Sequence, residues 1–216
     1  MPGKPSRDRE TPRRTAAGFT LIELLVVITI LAALLALGAR QFGKFLGAGK
    51  EAQTVALIEQ VKGLLEQYRN RMSDYPPCRL GEYGIKSRNN TNEGIEAMVV
   101  GLFHKNYDGA RIEEKYLMNQ DDDVADKNVT DHAQPVLLEV VDAWENPLVY
   151  IRYDQYQVEH EYEFVDADTN ELETCVVTAA KSELTGSFYA KESYQLLSVG
   201  EDGVLGTEDD LTSYKD

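Results

Sequence analysis

The chain has 216 residues, 37 Asp/Glu against 22 Lys/Arg, and a formal net charge of −15. So acidic a composition excludes the basic footprint that nucleic-acid binding requires, and it disfavours docking of a folded domain on anionic lipid. The length accommodates one membrane helix and one modest domain, and a mean hydropathy of −0.39 fits a soluble globule attached to a greasy segment.

Residues 1–18 carry proline, glycine and charge without periodicity, and read as a disordered basic leader. Lys4, Arg7, Arg9, Arg13 and Arg14 stand there against Asp8 and Glu10 alone. From Phe19 to Ala39 the chain then has 21 residues with one ionisable group, Glu23. As a helix such a run is roughly 32 Å long, enough to cross a hydrocarbon core of about 30 Å. A secretory signal places its small-residue cleavage site after the apolar core. Here Ala16-Ala17-Gly18 precedes the core, so cleavage there removes the leader and keeps the anchor. The product carries a net charge of −18, because the leader holds five bases and two acids. Lysine and arginine are denser before the run than after it, where Arg40, Lys44 and Lys50 follow. That asymmetry puts the N-terminus in the cytoplasm and the rest outside it.

Glu23 is the physical anomaly of this segment. A charge within a bilayer costs a few kcal/mol even on lenient scales, so it is either relieved at the nearby interface or matched by a partner. The residues Gly18-Phe19-Thr20-Leu21-Ile22-Glu23-Leu24-Leu25 resemble the class III signal of type IV pilins and type II secretion pseudopilins. That resemblance implies cleavage after Gly18 by a prepilin peptidase, methylation of Phe19, and pairing of Glu23 with the Phe19 amine of a neighbouring subunit. It also implies a single-pass inner-membrane protein assembled into a periplasmic filament. Its expected partners are further copies of itself, other pseudopilins, and an inner-membrane platform with a cytoplasmic ATPase. The fold it implies is α+β, a lollipop in which a long N-terminal helix packs on a small antiparallel sheet domain.

Along the rest of the chain, Gly38, Gly43, Gly47 and Gly49 soften the end of the apolar run, where pseudopilins often carry a proline and this chain has Arg40. Helical periodicity then resumes. Val55, Ile58, Val61, Leu65, Tyr68 and Met72 form one apolar stripe, and the helix should stop before Tyr75-Pro76-Pro77. One helix from Phe19 to Ser73 would be roughly 80 Å long. The expected organisation is a leader (1–18), a transmembrane part (19–39), an amphipathic extension (40–73) and a globular domain (74–216). Cys78 and Cys175 lie in the exported part, where they either form a disulfide or remain two separate thiols.

Within the domain, Gly94–Val99 begins a short helix, and Asp121-Asp122-Asp123 reads as a solvated acidic loop or, less simply, a cation site. Asp142-Ala143-Trp144-Glu145-Asn146-Pro147 is a turn, followed by a strand over 148–153. Together with Tyr75-Pro76-Pro77 and Gly94-Ile95-Glu96-Ala97, that turn resembles segments of the major pseudopilins, with Glu145 standing where they carry glycine. Further strands are expected over 162–165, 174–178 and 194–199. Asp166–Asn170 copies half of an EF-hand loop, but Glu171 takes the place of the required glycine, so it reads as a hairpin turn.

The segment 197–211 combines three glycines with five carboxylates. Like charges on a short loop repel unless a hard cation gathers them, and Ca²⁺ takes six to eight oxygens. The resemblance extends to a calcium loop that closes major pseudopilins. It implies Asp202, Asp209 and Asp210 as side-chain ligands, Glu208 as a weaker one, and the carbonyls of Leu197 and Val199 to complete the shell. The alternative is an acidic turn held by its glycines. No catalytic constellation stands out, since His104, His132 and His160 lack metal-ligand spacing and no nucleophile motif accompanies them. The expected role is therefore a non-enzymatic subunit of a type II secretion pseudopilus. A minor pseudopilin or type IV pilus subunit is the nearest alternative, and a non-polymerising, membrane-anchored binding protein is a weaker one.

Overall fold

The computed structural model describes residues 20–214, with the side chains of residues 36–46 outside that description. The leader and the Gly18–Phe19 junction therefore lie outside the described residues. Helix α1 runs Leu21–Met72, and the chain divides at Phe45/Leu46 into two units. In the first unit the described side chains end at Leu35, and eleven large apolar ones, from Leu21 to Leu35, are exposed. Among the described residues no helix is long and apolar enough to cross a membrane. The expected span over 19–39 extends past both ends of that described stretch.

The second unit begins with the remainder of α1. Leu57, Ile58, Val61, Leu64, Leu65 and Tyr68 are all buried, an i, i+3, i+4, i+7 set that lays one face on the domain. The expected stripe is corrected at both ends. Val55 is 45% exposed and Met72 47% exposed, while Leu57 and Leu64 take their places. At 100° per residue Val55 points well away from the centre of this face, and Met72 is in phase but is the last residue of the helix. Ser73 ends α1 with φ +71°, its amide donating to the Arg69 carbonyl at 2.8 Å. Pro76 and Pro77 then preclude continuation.

Helix α2, Glu93–Phe103, is buried from Gly94 onward, longer than its sequence signal and enclosed on every side. Among the described residues seven short strands follow: β1 (Leu117–Met118), β2 (Glu139–Val140), β3 (Val149–Arg152), β4 (His160–Val165), β5 (Leu172–Val177), β6 (Tyr194–Ser198) and β7 (Leu211–Thr212). All their pairings are antiparallel. β1 joins β2, β3 and β7 flank β6, and β4 joins β5. The expected hairpin turn is present: Val165 pairs with Leu172, and Asp166 Oδ1 accepts the amides of Asp168 and Thr169 at 2.8 Å. The fold is thus α+β, an N-terminal helix followed by a small antiparallel sheet domain. Its core joins α1 residues Leu57, Val61 and Leu65 to α2 residues Ile95, Met98 and Leu102, and to Tyr150, Tyr162, Phe164 and Leu196 of the strands.

The 142–147 turn ties these layers together. Asp142 Oδ1 accepts the amides of Trp144 (2.9 Å) and Asn146 (3.0 Å), and its Oδ2 accepts the Ser198 hydroxyl at 2.6 Å. Asn146 Oδ1 accepts the Val165 amide at 2.7 Å, and Thr54 of α1 accepts the Ala143 amide at 3.1 Å. Glu145 has φ +70°, the left-handed region that favours glycine. Its side chain is exposed.

Candidate assembly and cation-binding sites

At the start of α1, Thr20 and Glu23 form a reciprocal cap. The Glu23 amide donates to Thr20 Oγ1 at 3.3 Å, while Glu23 Oε2 accepts the Thr20 amide at 2.8 Å and its hydroxyl at 2.7 Å. This Thr-x-x-Glu arrangement satisfies helix-end donors that otherwise lack partners. One carboxylate oxygen carries these bonds; among the described residues Oε1 receives none. The lone acid of the apolar segment is thus held at the helix N-terminus, where the macrodipole favours a negative charge. The signal for this cap was present in the sequence as Thr20-Leu21-Ile22-Glu23.

In the C-terminal loop the expected ligands turn toward their own backbone. Asp209 Oδ2 accepts the amides of Glu201 (2.6 Å) and Asp202 (3.0 Å), and its Oδ1 accepts the Thr207 hydroxyl. Burial would raise the Asp209 pKa, but these bonds outweigh it and hold the carboxyl below its usual range. Asp202 Oδ1 accepts the Val204 amide at 2.8 Å, and Asp210 Oδ2 the Gly206 amide at 2.9 Å. Glu208 is exposed. Leu197 lies within the sheet opposite Val149 and Thr212, and Val199 is fully buried. Two glycines are required by close approach. With φ +70° at Gly200, a Cβ would fall 2.4 Å from the Asp209 carbonyl oxygen; at Gly203, with φ +72°, it would fall 2.0 Å from that of Val165.

A different set of acids converges instead. Ligand oxygens of Glu96 on α2, Asp121 in the loop after β1, and Glu139 on β2 lie within 4.8 Å of one another. Among the described residues no other acidic group draws three ligand oxygens so close together. Glu96 and Glu139 have no exposed surface. Burial, reinforced by Glu139 and Asp121, pushes the Glu96 carboxyl up to about 10; burial and Asp121 push Glu139 up to about 8. The sequence hinted at Asp121 alone. Glu96 and Glu139 are 43 residues apart, and each sits in an apolar run that gives no sign of the other.

The remaining candidates stay apart. Cys78 and Cys175 are free thiols rather than a disulfide. Cys78 is enclosed, its sulfur accepting the Arg152 amide at 3.4 Å, and burial pushes its pKa up to about 12. Cys175 is half-buried on β5, opposite Tyr162. Burial lowers the pKa of His160, against a weaker opposing effect of the Gln155 carbonyl.

Residues 13–39 match the prokaryotic N-terminal methylation motif. This is a prepilin-type signal over 27 of the 216 residues, and it supports a type IV pilin-like subunit, processed by a prepilin peptidase and polymerising with pilin-like subunits. It also supports an N-terminus anchored in the inner membrane. No curated protein and no solved structure matches the chain.

Proposed function

We propose that the chain is a structural subunit of a type II secretion pseudopilus, cut after Gly18, methylated on Phe19, and polymerised through α1 to drive export across the outer membrane. The carrying observation is the methylation motif over residues 13–39, with a single acid inside it. The eleven large apolar side chains that one chain leaves exposed suit lipid before assembly and sister helices after it. Glu23 would then use its unbonded oxygen to receive a neighbour's Phe19 amine while still capping α1. A charge relieved only by another subunit favours the assembled row over the lone chain.

In this reading the domain faces the periplasm, and a membrane platform with a cytoplasmic ATPase drives growth. Ca²⁺ at Asp202, Asp209 and Asp210, with Glu208 and the carbonyls of Leu197 and Val199 as further donors, would stiffen the C-terminal loop. The crowding of five carboxylates on one short loop supports it. The enlarged 78–135 and 154–193 regions favour a second reading, a minor pseudopilin or type IV pilus subunit. Crosslinking separates them, since one copy at a filament tip fits only a minor subunit.

The decisive experiment is N-terminal mass spectrometry of the native product together with filament assembly by Glu23→Ala. Methylated Phe19 and loss of filaments are expected. A product still beginning at Met1, or a Glu23→Ala chain that assembles normally, overturns the proposal.

A further inference from the structure

We propose that Glu96, Asp121 and Glu139 bind a calcium ion, at a site separate from the C-terminal loop. Three observations carry this. The ligand oxygens of the three side chains, drawn from α2, the 119–124 loop and β2, already lie within 4.8 Å of one another. Glu96 has no exposed surface, and neither of its carboxylate oxygens has a hydrogen-bond partner. The charged groups that bear most strongly on it, Glu139, Asp121, Asp123 and Glu93, are all acids.

A buried, unpartnered carboxylate facing two others must either hold a proton or be joined to them by a positive charge. No lysine, arginine or histidine among the described residues forms an ion pair with any of the three.

The surroundings hold the ligands in place. Glu139 accepts the Gln120 amide (3.2 Å) and Asn92 Nδ2 (3.4 Å); Asp121 accepts Asn89 Nδ2 (3.0 Å) and the Asp123 amide (3.2 Å). The same loop supplies two further buried oxygens without partners, Gln120 Oε1 and Asp123 Oδ2. Every donor is a carboxylate or amide oxygen, which selects a hard cation over zinc or copper. Ca²⁺ accepts many protein oxygens in irregular geometry, whereas Mg²⁺ keeps several waters that the enclosed Glu96 side would not admit. Asp121 is half-buried, the least enclosed of the three. Bound there, the ion would fasten α2 to β2 and to the loop between the two strands of that pair.

The test uses the full chain in detergent, stripped with EDTA, with ⁴⁵Ca²⁺ equilibrium dialysis and thermal melting. Glu96→Gln and Glu139→Gln should each bind one calcium fewer per chain than wild type. Asp202→Ala, which alters only the C-terminal loop, should keep the ion that Glu96→Gln loses. In EDTA, Glu96→Gln should melt no lower than wild type, since the amide keeps the shape of the protonated acid that the ion-free chain buries. The proposal is overturned if the wild-type chain binds no calcium, or if both glutamine variants bind as much as wild type. It is equally overturned if Glu96→Gln melts well below wild type in EDTA, which would mark a proton-sharing pair.

Discussion

Tyr162→Phe removes one hydroxyl from the point where α2, β3 and β4 meet. That hydroxyl accepts the Tyr150 amide at 3.0 Å and donates to the Tyr150 carbonyl at 3.2 Å. β3 is an edge strand of its sheet, so at Tyr150 a side chain does what a neighbouring strand would otherwise do. Gly94 makes room for it: a Cβ there would fall 2.3 Å from the Tyr150 carbonyl oxygen and 2.5 Å from the Tyr162 hydroxyl.

Both Tyr150 and Tyr162 are fully buried, so phenylalanine leaves one N–H and one C=O without a partner. Each orphaned buried group costs about 1–3 kcal/mol, which puts the loss at about 2–6 kcal/mol. For a unit of this size, at about 2–4 °C per kcal/mol, that lowers the melting temperature by about 4–24 °C. Melting followed by circular dichroism reads the shift, and hydrogen exchange should show the Tyr150 amide losing protection. A Tyr162→Phe chain that melts within about 2 °C of wild type, with that amide still protected, would refute the reasoning.

Glu145→Gly should raise stability by about 0.5–1 kcal/mol, because the residue has φ +70° and an exposed side chain; chemical denaturation measures it, and a loss of stability would contradict it. The lowered pKa of buried His160 has a definite sign. The unfolded chain takes up a proton near pH 6.5 that the folded chain still refuses, so this contribution is present above about pH 6.5 and is lost as pH falls through the folded pKa. The stability gap between wild type and His160→Gln should therefore shift in favour of the variant from pH 7.5 to 5.5, and a gap independent of pH would contradict it.

How much was legible follows the range of the interactions. The 142–147 turn was readable because Asp142, Asn146 and Pro147 act within six residues, and the Asp166 hairpin because its acid caps amides two and three residues on. The strands of the β3–β6 and β4–β5 pairs showed as short runs with β-branched and aromatic residues, whereas β1, β2 and β7 are two residues each and too short to carry a signal. The α1 stripe was placed on the right face through Ile58, Val61, Leu65 and Tyr68, but Val55 lies off that face and Met72 is the last residue of the helix, so both are exposed. Cys78 and Cys175 illustrate the limit: their sequence separation contained no information about whether the sulfurs meet.

By itself the sequence determined the apolar run with its single acid, where the long helix stops before Tyr75-Pro76-Pro77, and the short turns of the domain. These are consequences of local composition, of hydrophobic period and of proline, all of which act over a few residues. Tertiary structure alone decided that Tyr162 completes the edge of β3, that Cys78 is sealed beside Arg152, and that Glu96 and Glu139 face Asp121 inside the domain. Those arrangements depend on which distant segments the core brings together, and a charge buried among apolar neighbours leaves no local mark of the partners it will meet.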